Sequence, residues 1–165
     1  MWLANRSSLE AGQPPPAPTL AFAFEVRADV GPPLEIGRVP RGLRRIVPIL
    51  GGTFEGPAIK GRVLSGADWQ VIGADGFSQL DTRYALETDT GQIISVQNSG
   101  IRHAEPAVME KLLRGERVDP SLVYFRTTPT FETAAADLQW LTRSVFIGIG
   151  ERAPLQVVIR FWRVE

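Results

Sequence analysis

The chain of 165 residues contains no cysteine. Disulfides, thiolate nucleophiles and cysteine-held zinc or iron–sulfur centres are therefore excluded. Histidine is almost as scarce. His103 is the only one, which rules out a histidine-rich metal site and leaves one possible base for a Ser-His-Asp triad. No run approaches the roughly 18 consecutive apolar residues of a membrane-spanning helix. Lysine occurs only at Lys60 and Lys111, and 18 basic residues balance 18 acidic ones. A chain without net charge argues against nucleic acid or an anionic membrane as partner. Met1-Trp2-Leu3-Ala4-Asn5-Arg6 lacks the charged start and apolar middle of a secretory signal. A soluble, cytoplasmic protein is expected.

Hydrophobic residues make up 44% of the chain, enough for one core. Residues 1–19 read as a flexible tail, because Pro14, Pro15, Pro16 and Pro18 favour an extended, poorly packed conformation. Residues 20–165 read as one domain of strands. In "TLAFAFEVRADV", Leu20, Phe22, Phe24 and Val26 alternate with Ala21, Ala23, Glu25 and Arg27, the period of a half-buried strand. "GPPLEIGRVPRG" reads as turns around a short edge segment, since proline cannot donate to a central ladder.

Strands follow in "LRRIVPILGGTFEG" and, bent at its glycines, "AIKGRVLSGADWQVI". "RYALETDTGQIISVQNSG" reads as a hairpin turning at Thr88–Gly91. One short helix is expected from Pro106, with Val108/Leu112 and Met109/Leu113 as i,i+4 pairs and Gly115 as its stop. "SLVYFRTTPTFET", "LQWLTRSVFIGIG" and "PLQVVIRFWRVE" are strand-like.

Turn signals recur about every ten residues, the rhythm of a sandwich or barrel. Two features favour a closed antiparallel β-barrel of about 8–10 strands with one short helix. The last segment is apolar on both faces, with Val157, Ile159 and Phe161 opposite Val158, Trp162 and Val164, and so needs cover on both sides. Long strands kinked by glycine also suit barrel closure. A β-sandwich is the alternative.

Nucleotide motifs are weak. "GIGERA", Gly148–Ala153, imitates a dinucleotide fingerprint, but Pro154 and another strand follow where a helix should begin, so a glycine-rich β-turn is expected instead. Asp75, Asp81 and Asp89 fall in turn-rich stretches and match no calcium loop, so no metal site is expected. No cofactor is expected either.

The chemistry-bearing candidates lie on strands. Consecutive strand residues face opposite ways, so either Asp68 or Trp69 faces inward. A buried Asp68 would need a partner or a raised pKa, which is how general bases are made. Asp68 and Glu55 are the candidate proton-transfer groups. Trp69, Arg83, Tyr84, Asn98, Arg102, Tyr124, Arg126, Glu132 and Trp140 are candidate ligand contacts. An arginine inside a barrel requires an anion, from the protein or from a ligand. His103, beside the helix, reads as structural.

"GGTFEGP.IKG.VLSGADW", "DTRYALETDTG.IISV.NSG", "YFRTTPTFET", "QWLTRSVFIGIGER" and "VVIRFW" together resemble the family catalogued as domain of unknown function 3237, or uncharacterised protein family 0311. The resemblance runs from about Leu20 to the C-terminus. It implies a single calycin-like barrel and a homodimer, and it carries no assigned catalytic set. Where this chain has "DTG" at Asp89–Gly91, the family pattern has "DG", a change confined to the turn.

Three functions follow as alternatives. The first is a cofactor-independent enzyme of isomerase, cyclase or hydratase type acting on a small aromatic or carbonyl compound, with an arginine holding the oxyanion. The second is a binding protein for a small apolar or aromatic acid. The third is a plugged barrel acting as an interaction protein.

Overall fold

The structure, a computed structural model, describes residues 14–165; most of the expected tail lies outside the described residues. Residues 14–19 are exposed and irregular up to Thr19, which exchanges backbone hydrogen bonds with Glu165. Nine strands follow: β1 (Leu20–Val30), β2 (Leu34–Val39), β3 (Gly42–Glu55), β4 (Lys60–Ile72), β5 (Ser78–Thr88), β6 (Ile93–His103), β7 (Tyr124–Glu132), β8 (Phe146–Arg152) and β9 (Gln156–Val164). All neighbours are antiparallel. β1 pairs with both β9 and β3, so eight strands close into a barrel.

β2 stands outside this ring. It continues along the same edge of β3 that β1 occupies, with Val30 opposite Ile49 and Leu34 opposite Ile46. Gly31-Pro32-Pro33 interrupts the pairing between them, as expected where proline has no amide to donate. No described helix is long and apolar enough to cross a membrane.

Helix α1 (Pro106–Leu113) has proline in its first turn and buries Met109 and Leu112. It lies at one end of the barrel, where Met109 packs against Gly76 and the carbonyl of Leu113 accepts from Arg45 Nη1 at 3.4 Å. The opposite end is closed by a 3-10 turn (Ala136–Leu138) running into a four-residue helix α2 (Gln139–Thr142). This stretch reads as strand in the sequence. It is helical because Leu138 and Leu141, three apart, bury together over that end of the core.

Beneath that cap lies an aromatic plug. Phe24 is fully buried and meets Phe161, Phe131 and Phe54 with centroids 5.1, 5.6 and 5.9 Å apart; Phe131 meets Phe146 edge-on at 5.1 Å. Edge-to-face geometry adds roughly 0.5–1.5 kcal/mol per pair beyond burial. The apolar half of the interior is thus filled by side chains.

Two expectations about facing change. β1 carries a bulge between Phe22 and Phe24, which flips the phase, so Leu20 and Phe22 are exposed while Ala23 and Phe24 are buried. Phe22 then packs edge-on against Trp162 at 5.3 Å on the outer surface, giving the two-sided β9 part of its cover. "GIGERA" is likewise no turn: Phe146–Arg152 is strand β8. Its glycines make room, since a Cβ at Gly150 would lie 2.5 Å from the Phe125 ring and one at Gly148 2.1 Å from Thr127 Oγ1.

The glycines of "GGTFEGPAIKGRVLSGADW" serve closure. At Gly66 a Cβ would come within 2.2 Å of the Arg83 carbonyl, where β4 bulges against β5. At Gly52, with φ +131°, it would lie 2.0 Å from the Arg27 carbonyl. Only glycine permits that conformation and that approach. Gly52→Ala is expected to cost about 2–3 kcal/mol in urea unfolding with an unchanged slope; a loss below about 0.5 kcal/mol would show that the barrel closes some other way.

Candidate functional site

Register determines which polar residues meet. Across the inner wall, Val47, Asp68, Thr82 and Asn98 stand side by side on β3, β4, β5 and β6. The next inward row holds Arg45, Gln70, Leu80, Gly100 and Thr127; beyond it come Ile72, Ser78, Arg102 and Phe125. Tyr84 stands in the row on the other side of Asp68, nearer the aromatic plug. Of these, Asp68, Gln70, Thr82, Tyr84, Arg102 and Thr127 line a cavity of about 40 Å³ with Val47 and Phe125, joined by Arg152 of β8 and an aliphatic wall of Val26, Ala28, Ile49, Val157 and Ile159 from β1, β3 and β9. One side of the cavity is polar and the other is hydrocarbon.

Asp68 is the only carboxylate among the described lining residues. Gln70 Nε2 donates to its Oδ2 at 2.6 Å and Thr82 Oγ1 to its Oδ1 at 2.9 Å. Gln70 is itself held by Arg45, whose Nε donates to Oε1 at 2.8 Å. The result is a fixed chain from Arg45 through Gln70 to the carboxylate. Burial raises the Asp68 pKa; the two hydrogen bonds and the nearby Arg102 and Arg45 oppose this without cancelling it. Part of the residue still faces the cavity rather than protein.

Arg102 is 2% exposed and stacks over the Phe125 ring at 5.6 Å, yet its Nε and one Nη have no hydrogen-bond partner. Burial, helped by repulsion from Arg45 and Arg152, lowers its pKa to about 10 despite the attraction of Asp68. Arg152, at the end of β8, also has a buried, unpartnered Nη, and burial lowers its pKa too. The Tyr84 hydroxyl, both polar atoms of the Asn98 amide and the Thr127 hydroxyl are buried without partners. Burial drives the Tyr84 pKa upward, so its hydroxyl stays protonated and available as a donor.

Among the sequence candidates, Asp68, Tyr84 and Arg102 meet in this cavity, and Asn98 is buried beside Thr82 in its wall. The others lie elsewhere. Trp69 is 37% exposed on the outer face, bordering a surface hollow with Arg83. Arg83 faces Asp81 at 3.6 Å there, and Asp81 itself lies within β5 instead of a turn. Tyr124 and Arg126 are also outside, the guanidinium 4.9 Å above the ring. His103 stacks between Phe77 and Tyr124 at 5.7 and 5.0 Å. Glu55 and Glu132 are exposed at strand ends, and Trp140 sits on α2 near Phe146.

Arg45, Gln70, Thr82, Thr127 and Arg152 are the contributors that the sequence reading missed. Parity held a clue, since Gln70 shares a face with Asp68 and Thr82 shares one with Tyr84. The neighbouring pair Arg44-Arg45 posed the same inward-or-outward question as Asp68-Trp69.

A closed antiparallel barrel with an enclosed polar pocket in one half of its interior is the class of protein that these features define. The chain belongs to the family described as "Protein of unknown function (DUF3237)", whose model matches residues 18–164. A UPF0311 protein of Rhodopseudomonas palustris is 44% identical over 145 residues, 86% of this chain and 95% of the relative. The crystal structure of a conserved protein of unknown function from that species superposes with a TM-score of 0.88 at 39% identity, covering 92% of this chain and all of the other. A hydroalkoxylation enzyme, phnH, of Penicillium herquei is 30% identical over 88 residues, 53% of this chain and 59% of its own length. The structure of an enzyme from the same fungus shares the fold, with a TM-score of 0.70 at 22% identity over 93% of this chain and 99% of the other.

An unpaired buried guanidinium costs stability, whereas an apolar side chain of similar length does not. Arg102→Met is therefore expected to hold or raise the melting temperature, by about 2–4 °C for each 1 kcal/mol recovered. A drop of several degrees by calorimetry would mean that Arg102 is an integral part of the fold.

Proposed function

We propose that the cavity is the active site of a cofactor-independent acid–base enzyme of isomerase, cyclase or hydratase type, acting on a small carbonyl or aromatic compound. The observation that carries this reading is the setting of Asp68: a single carboxylate, gripped on both oxygens by neutral donors, open to the cavity, and with a raised pKa. A carboxyl whose pKa burial raises, held in a fixed orientation in a shaped site, is suited to proton transfer. The fungal relative's name supports the same class. Hydroalkoxylation adds an O–H group across a C=C bond: a C–O bond forms, the π bond breaks, and the hydroxyl proton is replaced by one on carbon. Nothing is oxidised or reduced.

In such a step protonated Asp68 gives its proton to carbon, and the resulting carboxylate takes the proton released by oxygen. The side chain returns to its starting state. Gln70 and Thr82 keep the carboxyl oriented through both transfers, while the Tyr84 hydroxyl and the Arg102 guanidinium stabilise negative charge developing on the substrate oxygen.

Deuterium uptake tests the proposal without knowledge of the net reaction. Small enolisable carbonyl compounds and alkenyl phenols, incubated with the protein in D₂O, are expected to gain carbon-bound deuterium by mass spectrometry. Asp68→Asn is expected to reduce the uptake roughly 10²–10⁴-fold, the range of a lost acid–base group. Equal uptake by wild type and Asp68→Asn would remove Asp68 from the chemistry.

A further inference from the structure

The charges of the cavity do not balance. Two guanidiniums, Arg102 and Arg152, line it against the one carboxylate of Asp68, and a third, Arg45, lies behind Gln70. Arg45 is accounted for. It donates to Gln70 and to the Leu113 carbonyl, and it is drawn to both Asp68 and Glu35. Arg102 and Arg152 also feel the attraction of Asp68, but their buried nitrogens have no hydrogen-bond partner, and Arg152 repels Arg102. Buried charge without a partner is costly, so such a pair persists where an anion completes it.

The neutral groups point the same way. Thr127 lies over Gly100, between Asn98 and Arg102 on the neighbouring strand. Hydroxyl, amide and guanidinium donors therefore converge with their hydrogen-bonding capacity unspent. Volume sets the size of what they hold. About 40 Å³ of cavity is room for roughly three waters, or for a carboxylate group, so the body of a larger ligand would extend beyond it toward solvent.

Arg152 stands in one row with Val157 and Ala28 where β8 meets β9, and it is only half-buried. The adjoining wall of Val26, Ala28, Ile49, Val157 and Ile159 suits a hydrocarbon body.

We propose that the cavity is an oxyanion site and that its ligand is a small organic carboxylate, its charged group between Arg102 and Arg152 and its apolar body against β1 and β9. Arginine's planar fork matches a carboxylate through two parallel hydrogen bonds. The assignment rests on the acid–base reading only in taking this carboxylate compound to be what Asp68 acts on; the binding itself stands apart from catalysis.

Acetate and benzoate serve as probes, with acetamide and benzamide as uncharged counterparts, all at constant ionic strength and neutral pH. The full chain is expected to bind both anions saturably by calorimetry and to melt higher in their presence. Arg102→Met is expected to remain folded and to lose affinity at least thirtyfold, consistent with removal of a buried charge partner. Arg152→Gln should also weaken binding, while Arg102→Lys, which keeps charge without the fork, should fall between.

Asp68→Asn is expected to bind the anions at least as tightly as wild type, because it removes a negative charge from the pocket. Equal affinity for benzamide and benzoate, or undiminished anion binding by Arg102→Met, would overturn the assignment. The two proposals can fail separately. Anion binding with no deuterium uptake would leave a binding protein, and uptake by neutral carbonyl compounds without anion binding would leave an enzyme with a different substrate class.

Discussion

Closing a sheet into a barrel turns every second side chain of eight strands toward one shared volume, and whatever is polar there must be satisfied there. This chain meets that constraint unevenly. At the α2 end, five phenylalanines fill the space and leave nothing to satisfy. At the α1 end, the same alternation brings in three arginines, one aspartate, an asparagine, a tyrosine and several hydroxyls, too many donors for the acceptors present. The aromatic plug contributes large apolar side chains to the buried core. It also lets the other half remain unpaired, since burial of large aromatic side chains is worth several times what one orphaned polar group costs.

The hydrogen-bonded chain from Arg45 to Asp68 separates structural polarity from the rest. Arg45 ties β3 to β4 and to the end of α1, and Gln70 passes that constraint to the carboxylate. Each polar group in this chain is held. Arg102, Asn98, Tyr84 and Thr127 are placed with equal firmness by β5, β6 and β7 but are held by nothing polar. Rigid placement without internal satisfaction is what the proposed ligand site would use, because a purely structural network would consume its own donors.

Much of the fold was legible from period two, from proline at strand breaks, and from glycine where strands crowd. The edge strand β2, the hairpin at Thr88–Gly91 and helix α1 follow from such signals. Asp68 stood out because an aspartate beside a tryptophan on a strand forces one of them inward. What period two lacks is an absolute phase. It could not place Arg83 and Arg126 outside and Arg45 inside, since all three sit on equally convincing strands, and Arg152 fell in a stretch read as a turn. Nor does it survive a bulge: one extra residue near Ala23 sends Phe22 to the surface while Phe24 becomes the centre of the plug. The cap at Leu138–Leu141 was missed for a related reason, because a short apolar run has too few residues to distinguish strand from helix.

An anion in the cavity would change Asp68 as well as Arg102. The positive charge of Arg102 and Arg45 favours ionised Asp68 and partly offsets the effect of burial. A carboxylate between Arg102 and Arg152 neutralises the nearer part of that charge and adds a negative one, and both changes push the Asp68 pKa further up. Binding then takes up a proton, and by reciprocity protonation of Asp68 tightens binding of the anion. Arriving substrate would thus load the proton that its own conversion requires. The three-to-one excess of arginine over acid, costly to the fold, is what makes that coupling possible.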